Sequence, residues 1–324
     1  MASTSKHLRE YLEHLEIEKN RSLNTIQNYQ FYLGRFVDWL GDKTPDDITA
    51  DKVREYRLWL NRLIDVHGDP LKKNTQNYHL IALRSFLKYL SRRDIKTLAA
   101  EKIELMKMPD REVSFLDAGD LNRILAQPLR DLKNEDGKNT EVKIKFRDKA
   151  ILELLFSTGL RVSELTGIKR DNINLQTDEF SIRGKGSKIR VVFMSEQAKY
   201  WIKKYLAVRG DLNPYLFVSH DKRAGKNVTI KGRQMEAEEI PLTQRSVQRI
   251  VHKYARQAGI TKPVTPHTLR HSYATDLLQN GADIRSVQAM LGHSSITTTQ
   301  IYTHITDKEL LNIHKKFHGK KRKE

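Results

Sequence analysis

The chain has 324 residues and carries 58 lysines and arginines against 40 aspartates and glutamates, a formal net charge of +18. Its hydrophobic content of 38% excludes wholesale disorder, and the absence of cysteine excludes disulfides, thiolate metal sites and a cysteine nucleophile. The basic excess lies in residues 111–324, with 39 basic and 24 acidic residues, against 19 and 16 in residues 1–110. Such an excess indicates a polyanionic partner, most simply nucleic acid, although a generically soluble basic protein has the same charge.

The N-terminal stretch MASTSKHLREYLEHL lacks the apolar centre of a signal peptide. No segment approaches the roughly 18 consecutive apolar residues that a membrane-spanning helix needs. The sequence therefore predicts a soluble, cytoplasmic protein with no membrane partner.

Residues 1–105 have the spacing of amphipathic helices. After Ser22, apolar residues follow a 3.6-residue period up to Gly41, which is predicted to be the C-cap of this helix. Three further stretches, around 5–19, 53–63 and 78–90, predict helices as well. Together they predict a compact helical bundle.

A segment without sustained periodicity, residues 106–113, is predicted to be a linker to a second domain over 114–324. In that domain DEFSIRGKGSKIRVVFM (178–194) predicts a β-hairpin, because two β-rich arms flank a glycine-bearing turn. Polar loops are predicted at 134–143 and 220–240. Helices are predicted to begin near Thr243, Thr265, Asp283 and Thr306. The fold class is thus mainly α with a small β-sheet.

The stretch TPHTLRHSYATDLL (265–278) carries a candidate anion site. Thr265 and Pro266 predict a helix N-terminus, which favours an anion, and His267 and Arg270 lie one turn apart. A histidine and an arginine added to a helix N-terminus make a phosphate site. The alternative is that His267 is a polar cap and Arg270 a solvated charge.

Two other cationic residues stand in suggestive positions. Arg161 follows a Thr-Gly turn in STGLRVSEL (157–165), where its guanidinium could fork onto phosphate oxygens, and Glu164 could hold that guanidinium or face solvent. Lys185 lies between two glycines at the predicted hairpin tip, where it could protonate a leaving oxygen. Taken singly, each also fits an ordinary surface residue.

The segment LGHSSITTTQIYTH (291–304) raises a question about Tyr302, which follows His293 by nine residues. A tyrosine has a pKa of about 10, so it needs a base and a cationic pocket before it can attack phosphorus. The segment by itself leaves open whether Tyr302 packs or reacts.

Taken together, these motifs resemble the tyrosine recombinase (phage integrase) family, particularly its Xer-type site-specific recombinases. The resemblance lies in TGLRVSEL, in GKGSKIRVVFM and in the long block from TPHTLRH to QIYTH. It extends more weakly to NTIQNYQFYLGRFVDWL and NTQNYHLIALRSFLKYLSRR near the N-terminus.

The resemblance implies a role for each candidate residue. Tyr302 would attack a DNA phosphate, giving a 3′-phosphotyrosyl bond and a free 5′-hydroxyl. Arg161 and Arg270 would hold the non-bridging oxygens, and Lys185 would protonate the leaving 5′-oxygen. His267 would act as a general acid/base near the tyrosine, and His293 would form a hydrogen bond to the phosphate. No metal, nucleotide or other cofactor would be needed, and His271 would be structural.

The resemblance also implies an architecture and partners. Residues 1–105 would be a core-binding domain and residues 114–324 a catalytic domain, forming a C-shaped clamp on double-stranded DNA. Four protomers, identical or paired with a paralogue, would assemble on two DNA sites. A helix at about 306–317, with Thr306 and Glu309 as its capping box, would dock into a neighbouring protomer.

Several alternatives remain open in the sequence. A type IB topoisomerase shares the tyrosine chemistry and would relax DNA without site preference. A metal-dependent nuclease could use His267, His271 and His293. A non-catalytic DNA-binding regulator would need only the basic surface. Within the recombinase reading, the sequence does not separate chromosome dimer resolution from integration or excision of a mobile element.

Overall fold

The structure is a computed structural model that describes residues 2–41, 43–65, 68–108, 114–132, 140–184, 189–220, 228–230, 233–235 and 240–292. The chain divides into two compact units, Met1–Asp110 and Arg111–Glu324. Helices dominate both units, and the strands are short. This confirms the predicted fold class. None of the helices in the described ranges is long and apolar enough to cross a membrane.

The first unit packs four α-helices against one another: α1 (Thr4–Ile17), α2 (Leu23–Leu40), α3 (Ala50–Arg62) and α4 (Lys73–Ser91). Serine and threonine side chains cap three of them by accepting from backbone N–H groups, namely Ser3, Ser22 and Thr49. α2 ends at Gly41, which has φ +72°. The four stretches with helical periodicity are therefore helices, as predicted.

The core of the first unit is rich in aromatic rings. Tyr11, Phe36, Tyr56 and Phe86 are at most 1% exposed. Buried hydroxyl groups need partners, and that of Tyr11 donates to Oγ of Ser85 at 2.7 Å. The unit thus has its own hydrophobic core.

The second unit contains seven further α-helices within its described ranges: α5 (Ala118–Ala126), α6 (Thr140–Thr158), α7 (Val162–Thr166), α8 (Glu196–Val208), α9 (Gln244–Gln257), α10 (Pro266–Gln279) and α11 (Ile284–Leu291). α6 lies at its centre, packed against α8, α9 and α10. The predicted loop over 134–143 is corrected here, because α6 already begins at Thr140. The helices predicted from Thr243, Thr265 and Asp283 are confirmed as α9, α10 and α11, whereas the helix predicted from Thr306 lies outside the described residues.

The predicted hairpin is present. β1 (Glu179–Arg183) and β2 (Ile189–Phe193) are antiparallel, with Ile182 opposite Arg190. A second short antiparallel pair, β3 (Val228–Ile230) and β4 (Arg233–Met235), lies within the stretch 220–240 that was predicted to be a loop. That loop prediction is therefore wrong for these six residues.

A small apolar cluster joins α10 to α11. Tyr273, Leu278, Val287 and Leu291 are buried against one another. α11 ends at Gly292, which is a left-handed C-cap with φ +64°. The cluster places the C-terminal end of α11 beside α10.

Candidate functional site

A tight turn brings Arg161 to the start of α7. Gly159 has φ +58°, a left-handed conformation that glycine adopts at little cost. A Cβ there would lie 2.5 Å from Cδ1 of Tyr273, so the backbone passes this ring too closely for a side chain. Arg161 then occupies the N-cap of α7 with an extended backbone. The Thr-Gly pair therefore determines where the Arg161 side chain begins.

The first turn of α10 carries His267 and Arg270. Oγ1 of Thr265 accepts from the Thr268 N–H at 3.2 Å, and Oγ1 of Thr268 accepts from the Thr265 N–H at 3.1 Å. Pro266 stands at the start of the helix, where its missing N–H is tolerated. His267 is exposed, whereas Arg270 is only 5% exposed. The predicted helix start is confirmed.

The buried guanidinium of Arg270 links three parts of the unit. Its Nη1 donates to the Gly159 carbonyl, and its Nη2 donates to the Leu291 carbonyl at 2.6 Å. A buried charge is costly without such partners. Arg270 thus ties α10 to the turn before α7 and to the last residue of α11. It is not the solvated charge of the alternative interpretation.

Arg161 is held by Glu164 and reaches the same end of α11. The Glu164 carboxylate accepts from the Arg161 backbone N–H at 2.8 Å and from its Nη1 at 2.9 Å. Nη2 of Arg161 donates to the Gly292 carbonyl at 3.3 Å. The Arg161 side chain remains 29% exposed, so its guanidinium is accessible to a ligand. Of the two possibilities for Glu164, contact with the neighbouring guanidinium is the correct one.

Arg190, which the sequence analysis did not single out, completes this group. Its Nη1 and Nη2 donate to the two carboxylate oxygens of Glu164 at 2.8 and 2.9 Å. Its Nε donates to the Met290 carbonyl at 3.2 Å. A signal was present, because Arg190 shares the inward face of β2 with the buried Val192. An arginine on an inward face needs an acidic partner.

The carboxyl group of Glu164 is ionised in this setting. Burial by itself would raise its pKa, but hydrogen bonds from Arg190 and Arg161 outweigh burial and hold the pKa below its ordinary value. Glu164 thus contacts two guanidinium groups, those of Arg161 and Arg190, and the guanidinium of Arg270 lies at the same end of α11. The cluster therefore has an excess of positive charge where α7, β2, α10 and α11 meet. Such a site suits a phosphate group.

The remaining sequence-predicted site residues lie outside the described residues: Lys185, His293 and Tyr302. Two of them are close in sequence to described residues of the site. His293 directly follows Gly292, and Lys185 precedes the first residue of β2 by four positions. The structure thus brings Arg161 and Arg270 together, and the placement of the other three stays a prediction. Within the described ranges, no group of three His, Cys, Asp or Glu side chains could hold a metal ion.

A basic groove extends along α9 in the same unit. α9 buries Val247, Val251 and Tyr254 and exposes a polar face on its other side. The groove has a volume of about 840 Å³. It is lined by Arg245, Gln248, Arg249, His252, Lys253, Arg256, Gln257, Val264 and Thr265. Because Thr265 also caps α10, the groove reaches the helix start that carries His267 and Arg270.

Comparison with known proteins places both units in one family. The model of the phage integrase family matches residues 115–309, and that of the phage integrase N-terminal SAM-like domain matches residues 8–94. The tyrosine recombinase XerD of Chlorobaculum tepidum is 36% identical over 318 residues, 97% of this chain and 96% of its own length. The tyrosine recombinase XerC of Pelobacter propionicus is 34% identical, over 99% of this chain and 98% of its own length.

Among solved structures, the XerH site-specific recombinase bound to a palindromic difH substrate, a post-cleavage complex, aligns with a TM-score of 0.68. The alignment covers 96% of this chain and 84% of that chain at 22% sequence identity. This likeness shows a shared fold.

Proposed function

This chain belongs to the phage integrase family of tyrosine recombinases, and we propose that it acts through a 3′-phosphotyrosyl intermediate formed at Tyr302. It is a site-specific recombinase that cleaves and rejoins DNA. The near full-length match to Xer recombinases does not favour a type IB topoisomerase or a non-catalytic regulator.

The observation that carries the proposal for the site is the convergence of two arginines on one end of α11. Arg161 donates to the Gly292 carbonyl, and Arg270 donates to the carbonyl of the preceding residue, Leu291. His293 is the next residue of the chain and Tyr302 follows nine residues later. Two guanidinium groups are thus held at the start of the segment that carries the proposed nucleophile.

In the proposed reaction, the Tyr302 oxygen attacks a DNA phosphorus while the bond to the 5′-oxygen breaks. His267 accepts the tyrosine proton and Lys185 gives a proton to the leaving 5′-oxygen. Arg161 and Arg270 stabilise the negative charge on the non-bridging oxygens. Positioned hydrogen-bond donors stabilise this charge most strongly in the transition state. His293 adds a hydrogen bond to the phosphate.

Rejoining is the reverse of cleavage. A 5′-hydroxyl gives its proton to Lys185 and attacks the phosphorus of the phosphotyrosyl bond, and the Tyr302 oxygen leaves and takes back a proton from His267. Because the phosphotyrosyl bond conserves the energy of the broken phosphodiester, the proposed cycle consumes no nucleotide.

The α9 groove supports duplex DNA as the partner. Four of its side chains are lysine or arginine, and all of them are exposed: Arg245, Arg249, Lys253 and Arg256. Cations on one helix face can neutralise a run of backbone phosphates. We assign residues 1–105 to a core-binding domain, 106–113 to a linker and 114–324 to a catalytic domain.

Assembly is a second part of the proposal. Four protomers, identical or paired with a paralogue, would bring two DNA sites together, and a helix at about 306–317 would dock into the neighbouring protomer. Deleting residues 306–324 should then preserve binding to a single half-site and abolish cooperative binding to a full site. Loss of half-site binding would instead place this segment in the core of its own protomer.

The chemistry is tested by Tyr302→Phe, which removes one oxygen atom. DNA binding should persist and the covalent protein–DNA adduct should disappear. An adduct formed by the Phe variant would show that the nucleophile lies elsewhere.

A further inference from the structure

Arg190 lies beside the proposed phosphate site without being one of its phosphate-binding groups. We propose that Arg190 is a positioning residue that takes up the charge of Glu164, so that Arg161 keeps its positive charge for the DNA phosphate. The inference rests on the proposed function and adds a residue to it.

The geometry of the shared carboxylate supports this role. Each oxygen of Glu164 accepts one bond from Arg161 and one from Arg190, at distances between 2.8 and 2.9 Å. The Arg190 bonds form a parallel fork, the strongest arrangement of a guanidinium with a carboxylate. Arg161 uses its backbone N–H for one of its two bonds, so only one of its side-chain nitrogens is engaged by Glu164.

The charges explain why the fork matters. Glu164 is 5% exposed at its side chain, so water screens its charge poorly. With Glu164 as its only ionic partner, Arg161 would form a neutral pair and lose much of its attraction for a phosphate. Arg190 adds a second guanidinium to the same carboxylate, which leaves the group of three with one net positive charge. The more exposed member of the group is Arg161, at 29% against 12% for Arg190.

Arg190 is also anchored to the end of α11. Its Nε donates to the Met290 carbonyl at 3.2 Å. A Cβ on Gly292 would lie 2.8 Å from Cδ of Arg190, so the aliphatic part of this side chain packs directly on the C-cap of α11. One side chain on β2 therefore contacts the start of α7 and the end of α11. Lys185 precedes Arg190 by five residues and His293 follows Gly292 by one.

Three variants separate charge sharing from a purely structural tie. Arg190→Gln removes the charge, Arg190→Lys keeps the charge without the fork, and Glu164→Gln/Arg190→Gln removes both charges. Arg183→Gln is the matched control, because Arg183 is an exposed arginine on the neighbouring strand. The target sequence is first found by mapping where wild-type protein becomes covalently attached to genomic DNA. The probe is a nicked duplex with that sequence.

The readouts are the rate of adduct formation on saturating DNA, the dissociation constant for the same probe and the thermal midpoint. Arg190→Gln should lower the rate about 10- to 100-fold, the rate equivalent of one hydrogen bond to a charged group. The dissociation constant should change much less. Arg190→Lys should recover most of the rate of adduct formation because it still neutralises Glu164. Arg183→Gln should leave the rate of adduct formation on saturating DNA unchanged.

The double variant gives the decisive comparison. Removing the carboxylate frees Arg161 from neutralisation, so Glu164→Gln/Arg190→Gln should cleave faster than Arg190→Gln alone. Equal rates for Arg190→Lys and Arg190→Gln, or a double variant slower than Arg190→Gln, would overturn charge sharing. Wild-type rates in all Arg190 variants would remove the role altogether. If Arg190→Gln does not fold, Arg190→Lys and the double variant decide the matter by their own rates against wild type.

These outcomes are distinct from failure of the proposed function. Adduct formation by the wild-type protein, and its loss in Tyr302→Phe, tests the chemistry before any Arg190 variant is measured. An Arg190 variant that behaves like wild type would leave that chemistry standing.

Discussion

Arg161 and Arg270 donate to the carbonyls of two consecutive residues, Gly292 and Leu291, at the C-terminal end of α11. Arg270 is buried and fixed, whereas Arg161 is partly exposed. The carbonyls at a helix C-terminus carry partial negative charge, which suits both cations. Hydrogen bonds therefore hold both guanidinium groups at this end of α11 before DNA binds, which reduces the reorganisation needed to hold a phosphate.

The roles assigned to Lys185 and Arg161 predict different responses to a better leaving group. Lys185→Ala should cleave slowly, and a substrate with a bridging 5′-sulfur should restore most of the rate, since that atom leaves without protonation. The sulfur substrate should not rescue Arg161→Ala, because this variant has lost stabilisation of the charge on the non-bridging oxygens. Lys188→Ala, in the same segment, serves as the control. The measurement is adduct formation on matched oxygen and sulfur substrates, and equal rescue of both variants would contradict the roles.

The α9 groove predicts how DNA binding depends on salt. Arg249→Gln should weaken binding and make the slope of log K against log salt concentration shallower by about 0.9 for each phosphate that is no longer neutralised. Gln248→Ala changes the same helix face without changing its charge, so its slope should match wild type. Fluorescence anisotropy over a salt series measures both. An unchanged slope for Arg249→Gln would place the DNA backbone away from α9.

The turn before α7 predicts a large effect from one methyl group. Gly159→Ala would force a Cβ to within 2.5 Å of Tyr273 and would also strain a left-handed backbone, so both stability and cleavage should fall. Gly259 also has a positive φ, +72°, but its Cβ would meet nothing within 4 Å. Gly259→Ala therefore isolates backbone strain of about 1–2 kcal/mol.

Chemical denaturation of both variants measures this difference. Gly159→Ala should lose more free energy of unfolding than Gly259→Ala. Equal losses would mean that the approach to Tyr273 is not tight.

Because of the buried histidine His79, we expect the stability of the first unit to fall in acid. Burial lowers the pKa of His79 from 6.5 to about 4, with Arg35 acting in the same direction. The unfolded chain therefore binds a proton between pH 6.5 and 4 that the folded chain does not. His79 should reduce the free energy of unfolding as the pH falls through this range, by at most about 1.4 kcal/mol per pH unit.

Urea denaturation at several pH values tests this dependence. His79→Gln should flatten it. Tyr56→Phe should retain it, because this change removes only the hydroxyl that lies 3.0 Å from Nδ1 of His79. A pH dependence that survives in His79→Gln would assign it to other groups.

The sequence predicted local features well where one element determines them. Ser22 and Gly41 bound α2 through a side-chain cap and a positive φ, and both effects depend only on neighbouring residues. α6 escaped detection because it is buried on nearly all sides, so its apolar residues show no helical period. Its buried charges, such as Lys149 with Glu153, resemble a solvated surface in sequence.

The same distinction applies to the site. Arg161 and Arg270 were predicted from motifs, because each stands at a recognisable helix start. Arg190 was not, since its contacts with Glu164 and Met290 join residues 26 and 100 positions apart. Periodicity places Arg190 on the inward face of β2 but does not identify what it meets there.

The role of Tyr302 as nucleophile is tested most directly by identifying the residue that carries DNA in the trapped covalent complex. Wild-type protein is incubated with a nicked duplex of its mapped site, the adduct is digested with protease and nuclease, and the modified peptide is sequenced by mass spectrometry. We expect a nucleotide remnant on Tyr302, joined through a 3′-phosphate, with a free 5′-hydroxyl on the released strand. Attachment to another residue, a 5′-phosphate linkage, or cleavage without attached protein would contradict it.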